Sequence, residues 1–593
     1  MESAKGNDGV KIFHFAAQVV RGRWFMMFAS FLIMSGAGAS YVFGIYSSQI
    51  KKSLAYDQKT LNLLGFFKDL GAVVGVISGL MAEVTPTWFV LLVGAGMNFG
   101  GYFMIWLAVT NRISKPKVWH MCVYICMGAN SQAFANTGVL VSCVKNFPES
   151  RGTMLGLLKG FTGLSGAIMI QIYLAVYGND SKSLILFIGW LPAAISIFFV
   201  YTIRTIKTVR QVNETRIFYH YLYISVALAL FIMVIIIIQK QMTFSHAMYI
   251  ASTTVVSVLL FLPLAIAIRE ELVLWKLKKR PTNPLATISV EQQPELPVTE
   301  SLETPVVPPS KPLQILEKPK NSLSNIFKPP ERGEDYTITQ GLLSIDMLII
   351  FFSTFCGYGT NLTAIDNLGQ IGESLGYPAL AIGTFVSLVS IWNYCGRVFA
   401  GFVSEILLVK LKFPRPLMIS IVLAFSCIGH MLIAFPAPGS LYFASLIIGF
   451  SYGAQLALNL IIISELFGLK HYATLFNWGQ VASPLGSYLF NVRVTGVLYD
   501  KEALKQLTRK GMTRGESKEL TCIGKECYRL SFIILAAVSF LGALSTLVMV
   551  MRTRKFYKGD IYKKFRDDSG TTKLEMASAS SSNDTRKTNE SMG

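Results

Sequence analysis

Apolar segments long enough to cross a bilayer recur along the whole chain, and they constrain its fold more than any other feature. A membrane-crossing helix needs roughly 20 mostly apolar residues. Fourteen stretches meet that requirement: 24–46, 61–82, 88–109, 118–144, 152–177, 183–203, 218–239, 246–268, 341–365, 378–404, 416–435, 440–464, 472–495 and 529–551. Together they take up about half of the chain, leaving no comparable stretch for a soluble core. With 52% hydrophobic and 15% charged residues, the chain is far less charged than a soluble protein, where about 25% is usual. The expected fold class is an all-α polytopic membrane protein. The first stretch is longer than the apolar region of a cleaved signal peptide and is read as a retained span.

The net charge is +20, and its placement decides what it means. Arg204, Lys207, Arg210 and Arg216 lie between spans 6 and 7, and Arg269, Lys276, Lys278, Lys279 and Arg280 follow span 8. Lys410, Lys412 and Arg415 follow span 10, and Arg552, Arg554, Lys555 and Lys558 follow span 14. All fall on one side, which the positive-inside rule puts in the cytoplasm with both termini. Loops 110–117 and 496–528 are outer loops that carry basic residues against this trend. The positive charge is then a topology and lipid-headgroup signal, and nucleic acid is not an expected partner. Residues 269–340 hold 11 of the 22 prolines with ten basic and ten acidic residues, and read as a disordered cytoplasmic linker. The expected plan is a cytoplasmic N-terminus (1–23), a six-helix half (24–203), an extra helix pair (204–268), the linker (269–340), a second six-helix half (341–551) and a disordered tail (552–593).

An internal repeat supports that division. A constant offset of 321 residues pairs Phe31 with Phe352, Gly36 with Gly357, Gly38 with Gly359, Gln49 with Gln370, Ile50 with Ile371, Gly75 with Gly396, Gly128 with Gly449 and Thr153 with Thr474. Spans 1–6 therefore correspond to spans 9–14, with spans 7–8 as a hairpin between them. Two six-helix halves of the same orientation form the parallel-repeat plan of the major facilitator superfamily.

Three motifs narrow the resemblance. Asn146-Phe147-Pro148-Glu149-Ser150-Arg151-Gly152 with Gly156-Leu157-Leu158-Lys159-Gly160-Phe161 is one, Ser464-Glu465-Leu466-Phe467-Gly468-Leu469-Lys470-His471-Tyr472 the second, and Arg23-Trp24 the third. In these the chain resembles the plant nodulin-like (nuclear-fusion-defective-like) branch of that superfamily. The resemblance implies a multi-pass, transporter-like protein whose spans 1 and 9 line a central cavity. It also implies a conformational latch in the loop after the second helix of each half, where the superfamily carries Gly, an acid and several Arg. The first half offers Gly79 and Glu83 without Arg, a weakened latch, while the second offers Gly396, Arg397, Gly401 and Glu405.

Function is sought among the polar residues inside the spans, since a charge at the bilayer centre costs at least about 2.5–3.5 kcal/mol. Lys68 and Asp69 in span 2 are read either as a solute or proton site or as a local salt bridge. Lys159 in span 5 is read either as an anion contact or as a structural lysine. Arg397 shares a stripe with Asn393 and Ser390 at i, i+3 and i+7; it is read either as part of a polar cavity face or, in preference, as serving the latch near the end of span 10. Asp346 and Asp366 are placed at the two ends of span 9. Tyr452, Gln455 and Asn459 share a face of span 12, Gln132 and Asn136 one of span 4, and Asn477 and Gln480 are neighbours in span 13. Cavity lining and interhelical hydrogen bonding are both open for these. Tyr41, Tyr46, Tyr358 and Asn361 flank the glycines of spans 1 and 9.

Cys522 and Cys527 share the outer loop, where a disulfide is favoured by an oxidising compartment. No metal-ligand set, phosphate-binding Gly-rich loop or HExxH motif is present, and no cofactor and no enzymatic activity are expected. The sequon at Asn179 falls in a very short outer loop, which argues against glycosylation. The expectation is a monomeric secondary transporter of a small polar or anionic solute, with proton coupling through Asp69 to be tested. The alternative is a non-transporting sensor or scaffold. The membrane, plasma or vacuolar/endomembrane, is left open.

Overall fold

The computed structural model of the chain describes residues 13–38, 42–56, 58–178, 180–206, 213–242, 244–278, 330–509 and 522–562. Tyr41, the Asn179 sequon, most of the expected linker and most of the tail lie outside these residues. The protein is an integral, multi-pass helical membrane protein. In lipid every backbone N–H and C=O must be satisfied within the segment, and helices do this. Nine stretches among the described residues are long and apolar enough to cross a membrane by length and composition.

The first half runs from α1 (Arg23–Gly36) and α2 (Phe43–Leu54) through α3 (Gln58–Val73), α4 (Val76–Val84), α5 (Thr87–Val109), α6 (Val118–Asn146), α7 (Arg151–Tyr177) and α8 (Ser181–Phe198). Asp180 caps α8, accepting from the N–H groups of Lys182 and Ser183. A hairpin of α9 (Glu214–Gln241) and α10 (His246–Lys278) follows. The second half comprises a short α11 (Ile338–Leu343), α12 (Ile345–Ser374), α13 (Ala379–Leu411), α14 (Arg415–Ala434) and α15 (Ser440–Leu466). It continues with α16 (Tyr472–Gln480), α17 (Ala482–Ser487), a π-helical stretch (Tyr488–Gly496), α18 (Val497–Arg509) and α19 (Glu526–Lys558). Cys522 and Cys527 are joined by a disulfide at the start of α19.

Several helices outrun their apolar cores. α12 continues to Ser374 instead of stopping near 365, and α13 to Leu411 instead of 404. A helix end with polar side chains loses hydropathy but keeps its backbone hydrogen bonds, so hydropathy underestimates its length. For the same reason α10 extends to Lys278, inside the segment expected to be linker. The far end of that segment is also folded. Asp335 Oδ1 accepts from the N–H groups of Leu469 and Lys470, and Gly333 N–H donates to the Leu466 carbonyl. Thr337 and Gln340 then form a capping box on α11, and Ser344 caps α12. One face of the protein, here the linker face, thus gathers residues 278, 330 and 562; the disulfide lies on the other, the loop face.

The hairpin packs on α1 and α7 and also reaches α13. Arg23 pairs with Glu214 at 3.0 Å, and Tyr394 of α13 donates to Ser225 Oγ of α9 at 2.9 Å. The Tyr219 and Phe402 rings meet at 5.4 Å.

The halves meet in two seams, α7 against α13 and α4 against α16. The 321-residue repeat exchanges one seam for the other. Both need backbone-to-backbone contact, which small residues permit. A methyl carbon added at Gly401 would lie 2.7 Å from the Gly152 carbonyl oxygen and 2.8 Å from Gly156 Cα. One added at Gly79 would lie 2.9 Å from the Ala473 carbonyl oxygen. Gly401→Val should therefore lower stability by about 1–3 kcal/mol through overpacking. A detergent-solubilised variant that melts with the parent would remove the seam from this account.

Candidate functional site

Between the halves lies a cavity of about 630 Å³. Its lower part is lined by Gln132 and Asn136 of α6, Lys159 of α7, Tyr452 of α15, and Asn477 and Gln480 of α16. Toward the loop face it is lined by Phe43 and Ser47 of α2, Lys68 and Asp69 of α3, Asp366 and Asn367 of α12, and Tyr488 and Asn491 of the π-helical stretch. These come from both halves, so any solute in the cavity touches both.

Lys159 sits eight residues into α7, roughly 12 Å from its linker-face end at 1.5 Å per residue. Its Nζ donates to Asn136 Oδ1 at 2.9 Å, and the residue is buried. Among the described residues no Asp or Glu lies within 4.0 Å of it. The repeat offset carries Lys159 onto Gln480, so symmetry-related positions face one cavity with one amine and one amide. Arg397, behind this floor, donates from Nη1 to the Lys159 carbonyl at 2.7 Å and from Nε to Asn393 Oδ1 at 2.8 Å.

Lys68 and Asp69 form a salt bridge at 2.7 Å and line the cavity as well. The Asp69 side chain is 56% exposed, so this pair contributes little to stability. Asp366, expected to be solvated at the end of span 9, is exposed, but α12 runs two further turns beyond it and the residue lines the cavity. It accepts from Asn491 Nδ2 at 3.2 Å, and Asn367 donates to Asn491 Oδ1 at 2.7 Å.

Four expected pathway residues lie elsewhere. Asn361 is fully buried within the second half, and Asn393 is taken up by Arg397. Gln455 Nε2 donates to the Ser353 carbonyl, and Asn459 Nδ2 to Thr354 Oγ1. These side chains join helices instead of lining the cavity, because α15 turns that face toward α12. Tyr46 and Tyr358 are likewise buried, and the Tyr358 ring meets Tyr452 edge-on with centroids 5.4 Å apart.

The latch residues divide in the same way. Arg397 is not part of a loop latch: α13 continues to Leu411, placing it about four turns from the helix end. Gly396 packs within the second half, against the Phe450 carbonyl. Glu83 crosses between the halves instead, accepting from His471 at 2.8 Å and from Thr474 Oγ1 at 3.1 Å at the start of α16. The expectation of a weakened first-half latch missed this contact, because its partners lie some 390 residues away in sequence.

In the second half, Arg415 is the centre of a larger group. Its Nε donates to Glu465 Oε1 at 2.8 Å and its Nη2 to Glu405 Oε2 at 2.6 Å, with Ser404 Oγ against Nη1. Tyr557 donates to Glu465 Oε2 at 3.0 Å. Arg151 of the first half donates to the Ser464 carbonyl at 2.8 Å beside this group. Arg415, and Tyr562 whose hydroxyl lies 3.3 Å from both carboxylates, carried no sequence signal beyond charge and aromaticity. Arg151, Glu465 and His471 did stand in the motifs that carry the family resemblance. At the same face, Asp346 is held by Arg332 and Arg552 at 2.8 and 2.7 Å.

Family comparisons agree with this architecture. A profile described as Nodulin-like matches residues 23–268, and one described as NFD4, C-terminal domain matches residues 334–559. The chain thus carries a nodulin-like region followed by an NFD4 C-terminal domain. This nodulin-like chain is 25% identical over 545 residues to Protein NUCLEAR FUSION DEFECTIVE 4 of Arabidopsis thaliana, covering 90% of the chain and 89% of that protein. It is 24% identical over 160 residues to the membrane protein YMR155W of Saccharomyces cerevisiae, covering 26% and 28%. Among solved structures, the proton:xylose symporter XylE of the major facilitator superfamily, bound to 6-bromo-6-deoxy-D-glucose, superposes with a TM-score of 0.51 at 12% identity, covering 89% of this chain and 96% of that one. The nodulin-like chain thus has the major facilitator fold.

Removing one member of a buried ion group leaves the others uncompensated. Arg415→Met in the nodulin-like chain, which leaves Glu405 and Glu465 without their cation, should cost about 3–5 kcal/mol. Thermal unfolding of purified protein measures this, and a change below about 1 kcal/mol would contradict it.

Proposed function

We propose that the protein is a secondary transporter that carries a small anionic solute by alternating access, with the solute's negative group seated on Lys159. The observation that carries this reading is a buried amine at the floor of an interhalf cavity, held by one amide oxygen and with no carboxylate within ion-pair distance among the described residues. A charge so placed inside a membrane protein is expensive unless a partner or water compensates it, and an arriving anion is such a partner. Gln132, Asn136, Asn477, Gln480 and Tyr452 around it supply neutral hydrogen-bonding groups for the rest of the solute. The linker face is taken as cytoplasmic, in line with the basic residues concentrated there. The major facilitator fold and the proton-coupled XylE support a carrier. Proton coupling is assigned to Asp69, an exposed carboxylate that lines the cavity together with Asp366.

The second reading, a sensor or scaffold that keeps the fold without net transport, draws on the hairpin that ties α13 to α9. Counterflow in proteoliposomes against a panel of small organic and inorganic anions separates the two. A carrier exchanges at least one of them, and Lys159→Met abolishes that exchange while Lys159→Arg keeps part of it. Binding without exchange would favour the sensor. With an exchanged anion in hand, Asp69→Asn should remove the pH dependence of uptake; unchanged dependence would take the proton role away from Asp69.

A further inference from the structure

The chain does not end its structural role where α19 ends. Four residues later Tyr562 folds back into the linker face and is 8% exposed. Its hydroxyl lies 3.3 Å from both Glu405 Oε2 and Glu465 Oε1, so one proton is shared between two carboxylates. The same oxygen accepts from Arg415 Nη2 at 3.1 Å. Burial, with Glu405 beside it, holds the phenol well above its ordinary range, so the hydroxyl stays a donor. The ring has a separate partner: the Arg151 guanidinium lies 5.3 Å from its centroid, a cation–π distance. Arg151 opens α7 in the first half, whereas Glu405, Glu465 and Arg415 belong to the second.

Tyr562 therefore sits on the seam with one end on each half. Its position is set by a short backbone segment outside any span, where Asp560 Oδ1 accepts from its N–H at 3.2 Å. No helix has to move for it to leave. Separation of α7 from α13 on the linker face, by contrast, requires Arg151 to leave both the Ser464 carbonyl and the Tyr562 ring.

We propose that Tyr562 is a removable bolt on the linker-face closure: while it is seated the cavity stays shut on that face, and its withdrawal shifts the protein toward the form open there. This makes residues 559–562 a gating element and Tyr562 a positioning residue, acting through Arg151, Glu405, Arg415 and Glu465 and not through the solute.

Hydrogen–deuterium exchange of the full chain in nanodiscs tests this without any solute, so its result stands apart from the transport assays. In Tyr562→Ala, peptides covering 76–84 and 466–480 on the linker face should exchange about tenfold faster, the loss expected for hydrogen bonds to charged groups. Peptides covering 43–54 and 488–500 toward the loop face should exchange more slowly, as that side closes. Tyr562→Phe keeps the ring on Arg151 and should fall between Ala and the parent. Opposite shifts on the two faces support the bolt. Unchanged exchange in Tyr562→Ala overturns it. Faster exchange on both faces with a lower melting temperature also overturns it, by assigning the residue to folding alone.

Discussion

Direct backbone contact between the halves is the constraint on which the rest of the structure depends. Gly152, Gly156 and Gly401 bring α7 and α13 together, and Gly79 does the same for α4 and α16. Each approach sets an acid opposite the start of the other half's fifth helix: Glu83 at His471 and Thr474, Glu405 beside Gly152. A carboxylate is favourable at that place because the first turn of a helix presents unpaired N–H groups and a positive dipole end. With both seams held on the linker face, the volume between the halves remains as a cavity on the other side of them.

The charges then fall into two classes. Arg415 and Glu465 are buried and Glu405 is half-buried, but the three satisfy one another, so they specify one arrangement of helix ends at a small net cost. Lys159 is buried, and among the described residues its amine is held by the Asn136 amide with no carboxylate within ion-pair distance. The internal repeat sharpens this contrast, since the related position in the second half is Gln480. Duplication supplies a symmetric framework, and the Lys159 amine opposite the Gln480 amide makes the floor of the cavity electrically one-sided.

Much of the fold was legible in the sequence because spanning length and basic flanks are strong signals in a bilayer. The repeat offset also placed the hairpin between the halves. Reading the site was harder, for two physical reasons. Helix ends that carry polar residues vanish from a hydropathy pattern, so Asp366 was placed at the outer end of span 9 and Arg397 in the last two turns of span 10, although both lie further inside their helices. Helical spacing reveals which residues share a face but not what that face meets. Gln455, Asn459 and Asn361 thus looked equivalent to Gln132 and Asn136, yet only the latter two reach the cavity. Contacts such as Glu83 with His471 and Arg151 with Ser464 join residues hundreds apart, beyond the reach of any local pattern.

The hairpin covers only one of the two seams. It follows α1 and α7 and holds α13 through Tyr394 and Ser225, while the seam of α4 and α16 has no such cover among the described residues. A rocking motion that parts α7 from α13 must therefore carry two more helices sideways through lipid. One of them, α10, is 33 residues long, about 50 Å at 1.5 Å per residue against a hydrocarbon core of about 30 Å. Any change in its tilt alters the hydrophobic mismatch with the surrounding lipid. Under the proposed alternating access, bilayer thickness and viscosity would enter the balance between the two states, and the lipid would be part of the machine.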